Sequence, residues 1–350
     1  MKSKKYNNPQ SRRKFILQTA IGGTCLVLTN PIKLLANQNL NIMNNNIQSK
    51  GYAGKDEQGK LALWNFEHRS VGDNDLLIDI KFSGICHSDI HTIKGHWEKQ
   101  QYPQVPGHEI AGMVGTCGTA EKSSPTGITQ GGYANNIIVT EYFAIKIPEN
   151  MDLQYAAPLL CAGITTYSPL MKIKVKKGDK VGVVGIGGLG HMAIKLAVSK
   201  GAEVYAFTTS PSKVNDIKGF GAKEAIVVDS AEKLKPWFGK MDFMISTVPY
   251  AYDVSNYISC VKPYGYFTQV GLPINGELTI NNFNMSFNRV NYNGSLIGGI
   301  PETQEILNYC AENKIYQQIQ IIKAEEINEV WEKVVNKEAR YRYVIDAETI

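Results

Sequence analysis

The chain has 350 residues, a formal charge of +5, 43% hydrophobic residues and six cysteines. That length holds two domains with full apolar cores. The positive sign belongs to the start: Lys2, Lys4, Lys5, Arg12, Arg13, Lys14 and Lys33 all precede the first acid, Asp56. The remainder of the chain is slightly acidic, so the charge gives no reason to expect a nucleic-acid partner.

Residues 1–36 contain Ser11-Arg12-Arg13-Lys14-Phe15-Ile16-Leu17 and a mildly apolar run to Leu35-Ala36. Twin arginines before such a run predict a signal for the twin-arginine export machinery, and hence a periplasmic or otherwise exported protein. The alternatives are a cytoplasmic protein or one tethered by an uncleaved leader. Gln18, Gly22, Gly23, Asn30, Pro31 and Lys33 interrupt the run too often for a stable membrane span. Residues 37–50, rich in asparagine, read as a polar linker.

From residue 51 to 162 the pattern is β-rich, with strands expected at 76–80 and 136–140. From 163 to 299 short apolar strands alternate with helical stretches, at 180–184, 203–207, 225–228, 242–246, 266–270 and 295–297. That rhythm predicts an α/β fold with a doubly wound parallel sheet of the Rossmann kind. Residues 300–350 then supply helices around 302–312 and 324–336, and a strand at 341–345 expected to return to the first domain. The doubly wound domain is thus inserted into a discontinuous, β-rich one.

Gly185-Ile186-Gly187-Gly188-Leu189-Gly190 comes after an apolar strand and opens a helix. Gly185 allows the tight turn, Gly187 lets the backbone approach a pyrophosphate, and Gly190 lets helix and strand pack closely. Gly188 and Leu189 complete the phosphate-facing helix start, where free N–H groups and partial positive charge meet an anion. At the end of the second strand, Thr208-Thr209-Ser210-Pro211-Ser212-Lys213 stands where an NAD site carries an acid. Hydroxyls and a lysine suit a 2′-phosphate, so NADP(H) is favoured over NAD(H), with Thr208, Thr209, Ser210 and Lys213 as contacts.

Cys86 opens Cys86-His87-Ser88-Asp89-Ile90-His91, His108 lies in Pro106-Gly107-His108-Glu109, and Cys161 in Leu159-Leu160-Cys161-Ala162-Gly163. Two thiolates and an imidazole make a neutral shell for one catalytic Zn²⁺ with its fourth position open. Ser88 could exchange a proton with the reacting oxygen and His91 pass it towards solvent, while Asp89 and Glu109 are candidate supporting carboxylates. Cys117, Cys260, Cys310, His87, His96 and His191 take a structural or surface reading.

These segments, together with Val105-Pro106-Gly107-His108-Glu109, Gly131-Gly132-Tyr133, Ala157–Thr165 and Thr209–Lys213, resemble the zinc-dependent medium-chain alcohol dehydrogenases. Within them, the cinnamyl alcohol dehydrogenase-like branch is the nearest. The resemblance implies a GroES-like catalytic domain, a Rossmann domain, an active site in the cleft between them and a homodimer. It implies metal ligands at Cys86, His108 and Cys161, Glu109 beside the metal, and a proton relay of Ser88 and His91. It also implies Thr165 near the nicotinamide and Arg342 reaching the pyrophosphate. The activity implied is reversible NADP(H)-linked interconversion of primary alcohols, aromatic ones included, and aldehydes.

The chain departs from the family in one place. After the His-Glu motif the family carries a lobe whose four closely spaced cysteines bind a structural zinc. Here Gly115–Gln130 leads almost directly to Gly131-Gly132-Tyr133, with only Cys117 in between. One thiol cannot make a tetrahedral structural site, so no structural zinc is expected. The alternative function is therefore a catalytically impaired, cofactor-binding relative that has lost the lobe. A zinc-free reductase of the same fold is disfavoured by the retention of all three ligands.

Overall fold

The computed structural model describes residues 46–111, 113–114, 128–274 and 276–350. The leader, the asparagine-rich stretch up to residue 45 and Cys117 lie outside the described residues. No helix among those described is long and apolar enough to cross a membrane.

The catalytic domain begins earlier than the composition predicts. Ile47–Gly54 is a strand paired antiparallel with Leu61–His68, so residues 47–50 belong to the fold and not to a linker. Their side chains are mostly polar, but backbone pairing and a bond from Ser49 Oγ to Asn135 Oδ1 (3.0 Å) hold them without much apolar burial. Asp75–Asp79 pairs antiparallel with Asn136–Thr140. A five-stranded sheet then runs in the order Ile319–Lys323, Arg342–Asp346, Phe82–Gly84, Glu109–Ile110, Met113–Val114. The last strand of the chain therefore lies beside one of the first, pairing Val344 with Gly84, as the return of the C-terminus requires. Ile85, Ile90, Ile110, Tyr133, Trp331 and Ile345 pack together as this domain's core.

The cofactor domain is a six-stranded parallel sheet in the order Glu224–Val227, Glu203–Thr208, Lys180–Val184, Met241–Ser246, Val261–Gln269, Asn291–Gly294. Strand order reverses between Lys180–Val184 and Met241–Ser246, and the crevice at their carboxyl ends is where such sheets take ligands. The sixth strand is Asn291–Gly294, earlier than the apolar Ser295-Leu296-Ile297 predicts. At an edge the pairing with Tyr266–Gln269 decides, not hydrophobicity, and Leu296 is 75% exposed.

A helical rod joins the domains, Leu153–Pro158 and Ile164–Lys172 flanking a π-helical turn at Leu159–Gly163. The wider turn adds a residue to the helical circuit and changes the direction in which Cys161 is presented.

Candidate metal and dinucleotide site

Four side chains from three elements converge. Cys86 caps the helix His87–Ile93, His108 and Glu109 straddle the start of the strand Glu109–Ile110, and Cys161 sits in the π turn. One ligand atom of each lies within 4.8 Å of the others. Cys86 Sγ and Cys161 Sγ are 4.0 Å apart. Zn–S bonds of about 2.3 Å at a tetrahedral angle place two sulfurs about 3.8 Å apart, so the donor set fits the ion. The hydrogen bond from Cys161, helped by His108 and Arg342, holds the Cys86 thiol well below its ordinary range. The same contact with Cys86, and then loss of solvent, holds Cys161 well above it. The pair shares a proton that metal binding would release.

Asp89 anchors the arrangement. It is buried, its Oδ1 accepts from His108 Nδ1 at 2.7 Å, and its Oδ2 accepts from Cys86 N at 2.9 Å and Tyr133 Oη at 2.8 Å. With Nδ1 committed to the carboxylate, His108 directs Nε2 to the metal site; this fixes the tautomer and the ring plane. Gly107, at φ +109°, turns the chain into His108, and a Cβ there would strike the Tyr133 ring and the backbone at Gly132.

Glu109 is 0% exposed and Arg342 is 4% exposed. They pair at 3.3 Å (Arg342 Nη1 to Glu109 Oε1), and the same Nη1 donates to the Ile85 carbonyl at 2.8 Å. Burial pushes the Glu109 carboxyl up to about 8 against the pull of Arg342. Burial works against the charge of Arg342, but Glu109, Cys86 and Cys161 outweigh it and keep the guanidinium protonated. Its Nε and Nη2 are buried without a hydrogen-bond partner. Both lie against Gly188, 3.2 and 3.3 Å from where a Cβ would stand. Arg342 thus spans from the metal cluster to the glycine-rich turn.

That turn has the geometry its residues predict. Gly185 adopts φ +82°, Gly187 faces open space, and a Cβ on Gly190 would collide with the Gly185 carbonyl oxygen. Gly188 starts the helix Gly188–Ser199, with Leu189 next. Thr208 ends the second strand, its Oγ1 accepting from Ser210 N at 3.1 Å, while Thr209 is exposed. Lys213 folds back and donates from Nζ to the Ile186 carbonyl at 2.8 Å, so its charge sits beside the same turn. Thr165 is buried near the start of the helix Ile164–Lys172.

Ser88 and His91 lie one turn apart on the helix His87–Ile93, and Ser88 Oγ is 3.5 Å from Cys86 Sγ. His91 Nδ1 contacts His96 Nδ1 at 2.7 Å instead of reaching the Ser88 side, and its Nε2 is buried without a partner. Burial, then the neighbouring His87 and His96, lowers His91 to about 4.

Sequence reasoning assigns no role to Tyr133, though Gly131-Gly132-Tyr133 stands among the segments carrying the resemblance. It also leaves His96 as a surface residue and does not single out Trp97 or Arg340. Arg340 donates to Asp216 Oδ2 at 2.8 Å and to Ser212 Oγ at 3.2 Å, tying the C-terminal return to the loop after the second strand. Only spatial proximity reveals these residues.

Known proteins carry the same organisation. Residues 188–312 match the zinc-binding dehydrogenase family, and residues 72–149 match the alcohol dehydrogenase GroES-like domain. An NADP-dependent alcohol dehydrogenase C of Mycolicibacterium smegmatis is 37% identical over 342 positions, covering 85% of this chain and 98% of that protein. An aldehyde reductase of Escherichia coli is 39% identical over 333 positions, covering 83% and 95%. Among solved structures, a cinnamyl alcohol dehydrogenase of Helicobacter pylori complexed with NADP(H) superposes with a TM-score of 0.79 at 35% identity, covering 87% of this chain and 99% of that one.

Proposed function

From the premise that the chain belongs to the zinc-dependent medium-chain alcohol dehydrogenases, in their cinnamyl alcohol dehydrogenase-like branch, we propose that it is an NADP(H)-linked oxidoreductase interconverting aldehydes and primary alcohols, aromatic ones included. The observation that carries the reading is the Cys86–His108–Cys161 cluster, with Cys86 and His108 buried and Cys161 partly so, braced by Asp89 and joined through Arg342 to the glycine-rich turn. A relative retained for binding alone would have no need of that bracing.

Cys86, His108 and Cys161 would hold one zinc, with Glu109 beside it. When bound, zinc supplies Lewis acidity towards a carbonyl oxygen and the nicotinamide supplies hydride. The chain's own part is placement and proton handling. Asp89 locks the His108 ring. Ser88, beside Cys86, gives its hydroxyl proton to the product oxygen, and His91, one helical turn on, is the base that replenishes it. The two unpartnered donors of Arg342 against Gly188 fit a pyrophosphate at the helix start. Lys213, with Thr208, Thr209 and Ser210, supports NADP(H) over NAD(H), and Thr165 would stand near the nicotinamide of a bound cofactor.

A second zinc is not part of the proposal. The alignment with the Mycolicibacterium relative contains more positions than this chain supplies residues to, which supports a deletion, and Cys117 alone cannot replace four thiolates. We propose a homodimer built on the edge strand Asn291–Gly294. Beside it Leu296 is exposed, and on the helix Asn282–Phe287 the stacked Phe283 and Phe287 are 71% and 76% exposed. Arg12-Arg13 supports export through the twin-arginine route to the periplasm.

The deciding experiment measures zinc content and NADPH-dependent reduction of an aromatic aldehyde by the purified mature chain. About one zinc per chain with turnover is expected. Bound NADP with neither metal nor turnover overturns the reading.

A further inference from the structure

We propose that His96 is the outer member of a two-imidazole proton path that joins the buried His91 to solvent. The proposal deepens the reading above and rests on it, since a path is needed only if Ser88 and His91 serve aldehyde reduction.

His91 cannot exchange with bulk water by itself, because it is 3% exposed. Its ring is covered by His87, stacked at 4.6 Å and 14°, and by Trp97 at 4.9 Å. Trp97 is itself held over the ring, with Nε1 donating across the cleft to the Pro273 carbonyl at 3.4 Å. One direction remains. Gly95, at φ +62°, reverses the chain after the helix, and the backbone N–H of His96 bonds the His91 carbonyl at 3.0 Å. This places the two Nδ1 atoms 2.7 Å apart, with His96 only partly buried.

A nitrogen-to-nitrogen contact that short holds one proton: one ring donates and the other accepts. The charged and titratable groups around the pair are His87, Lys94 and Cys86. Two of these are basic, which favours neutral rings exchanging tautomers over a resting imidazolium. In the reducing direction a buffer acid or water protonates His96 Nε2. The His96 Nδ1 proton moves to His91 Nδ1, and the His91 Nε2 proton leaves inward towards Ser88, whose own proton goes to the product oxygen. Each ring gains one proton and loses one. The solvent donor is left as its conjugate base, and alcohol oxidation runs the same shift outward and restores both tautomers.

The test uses the full mature protein and the His96→Gln and His96→Asn variants, which keep a polar side chain but cannot relay a proton. Expected is a kcat about 10-fold lower with KM unchanged, and recovery of rate as free imidazole is added to the buffer. In nitrogen-15 histidine-labelled wild type, a coupling across the shared N–H···N bond is expected, and its loss in both variants. Unchanged kcat in both variants, a lowered kcat indifferent to imidazole, or absence of the coupling overturns the path. A wild type that reduces no aldehyde fails the underlying function instead, and the spectrum, which needs no turnover, separates the two failures.

Discussion

Asp89 Oδ1 accepts a hydrogen bond from His108 Nδ1 at 2.7 Å while its other oxygen receives Cys86 N and Tyr133 Oη. One carboxylate therefore sets the position of two of the proposed metal ligands at once. Asp89→Asn should weaken zinc binding about 10- to 100-fold, the range for lost support of a metal-binding histidine. Chelator competition measures it, and excess zinc should restore much of the activity. Unaltered affinity would mean that His108 is held by packing alone.

Gly190 has no room for a methyl group, because its Cβ would collide with the Gly185 carbonyl oxygen. Backbone cannot swing aside as a long side chain can. Gly190→Ala should lower stability by about 1–3 kcal/mol and weaken NADP(H) binding. Thermal melting and cofactor titration report the two effects, and a variant with native values for both would show that the turn is not tightly packed.

His191 is a pH-sensitive point of stability. Its Nδ1 lies 3.1 Å from the Gly187 carbonyl and its Nε2 accepts from Gln318 N at 3.3 Å, a pairing that needs a neutral ring. Burial depresses it from 6.5 to about 3 in the folded chain. A depressed base binds its proton more readily when unfolded. Its stabilising contribution is therefore complete above pH 6.5 and declines as pH falls from there towards 3. Melting curves of wild type and His191→Gln should converge on acidification; curves that stay parallel contradict this.

Lys213 lies beside the glycine-rich turn. Lys213→Glu should shift the NADPH-to-NADH ratio of kcat/KM about 10-fold or more towards NADH, the worth of a charged hydrogen bond replaced by repulsion. An unchanged ratio would move the source of phosphate selectivity elsewhere, with Arg340 the nearest cation tied to the same loop.

For the leader, changing Arg12-Arg13 to Lys-Lys should leave the protein in the cytoplasm, as fractionation would show. Export at the wild-type level would remove the twin-arginine assignment.

The parts of the site legible in the sequence are those whose meaning is local. Gly185 and Gly190 announce a turn because backbone angle and close packing demand glycine there, and the strand Lys180–Val184 lies where its apolar run predicts, to the residue. Cys86, His108 and Cys161 stand out because each carries informative neighbours. The features that escape depend on distant pairing. Tyr133 reaches Asp89 across 44 positions, and the Arg342 bond to Ile85 spans 257. The edge strand Asn291–Gly294 is displaced from its apolar signal because its neighbour, not its own composition, defines it. His96 reads as a surface histidine, and only the reversal at Gly95 brings it onto His91.

The pairing of Arg342–Asp346 with Phe82–Gly84 has a consequence for folding. The strand that precedes Cys86 has one neighbour close by in sequence, Glu109–Ile110, and another far along it, Arg342–Asp346, and the second is the one that carries Arg342 to Glu109. The inserted parallel sheet closes on strands of its own stretch of chain, whereas the catalytic half is complete only once that distant pairing forms. Such long-range closure is intrinsically slow.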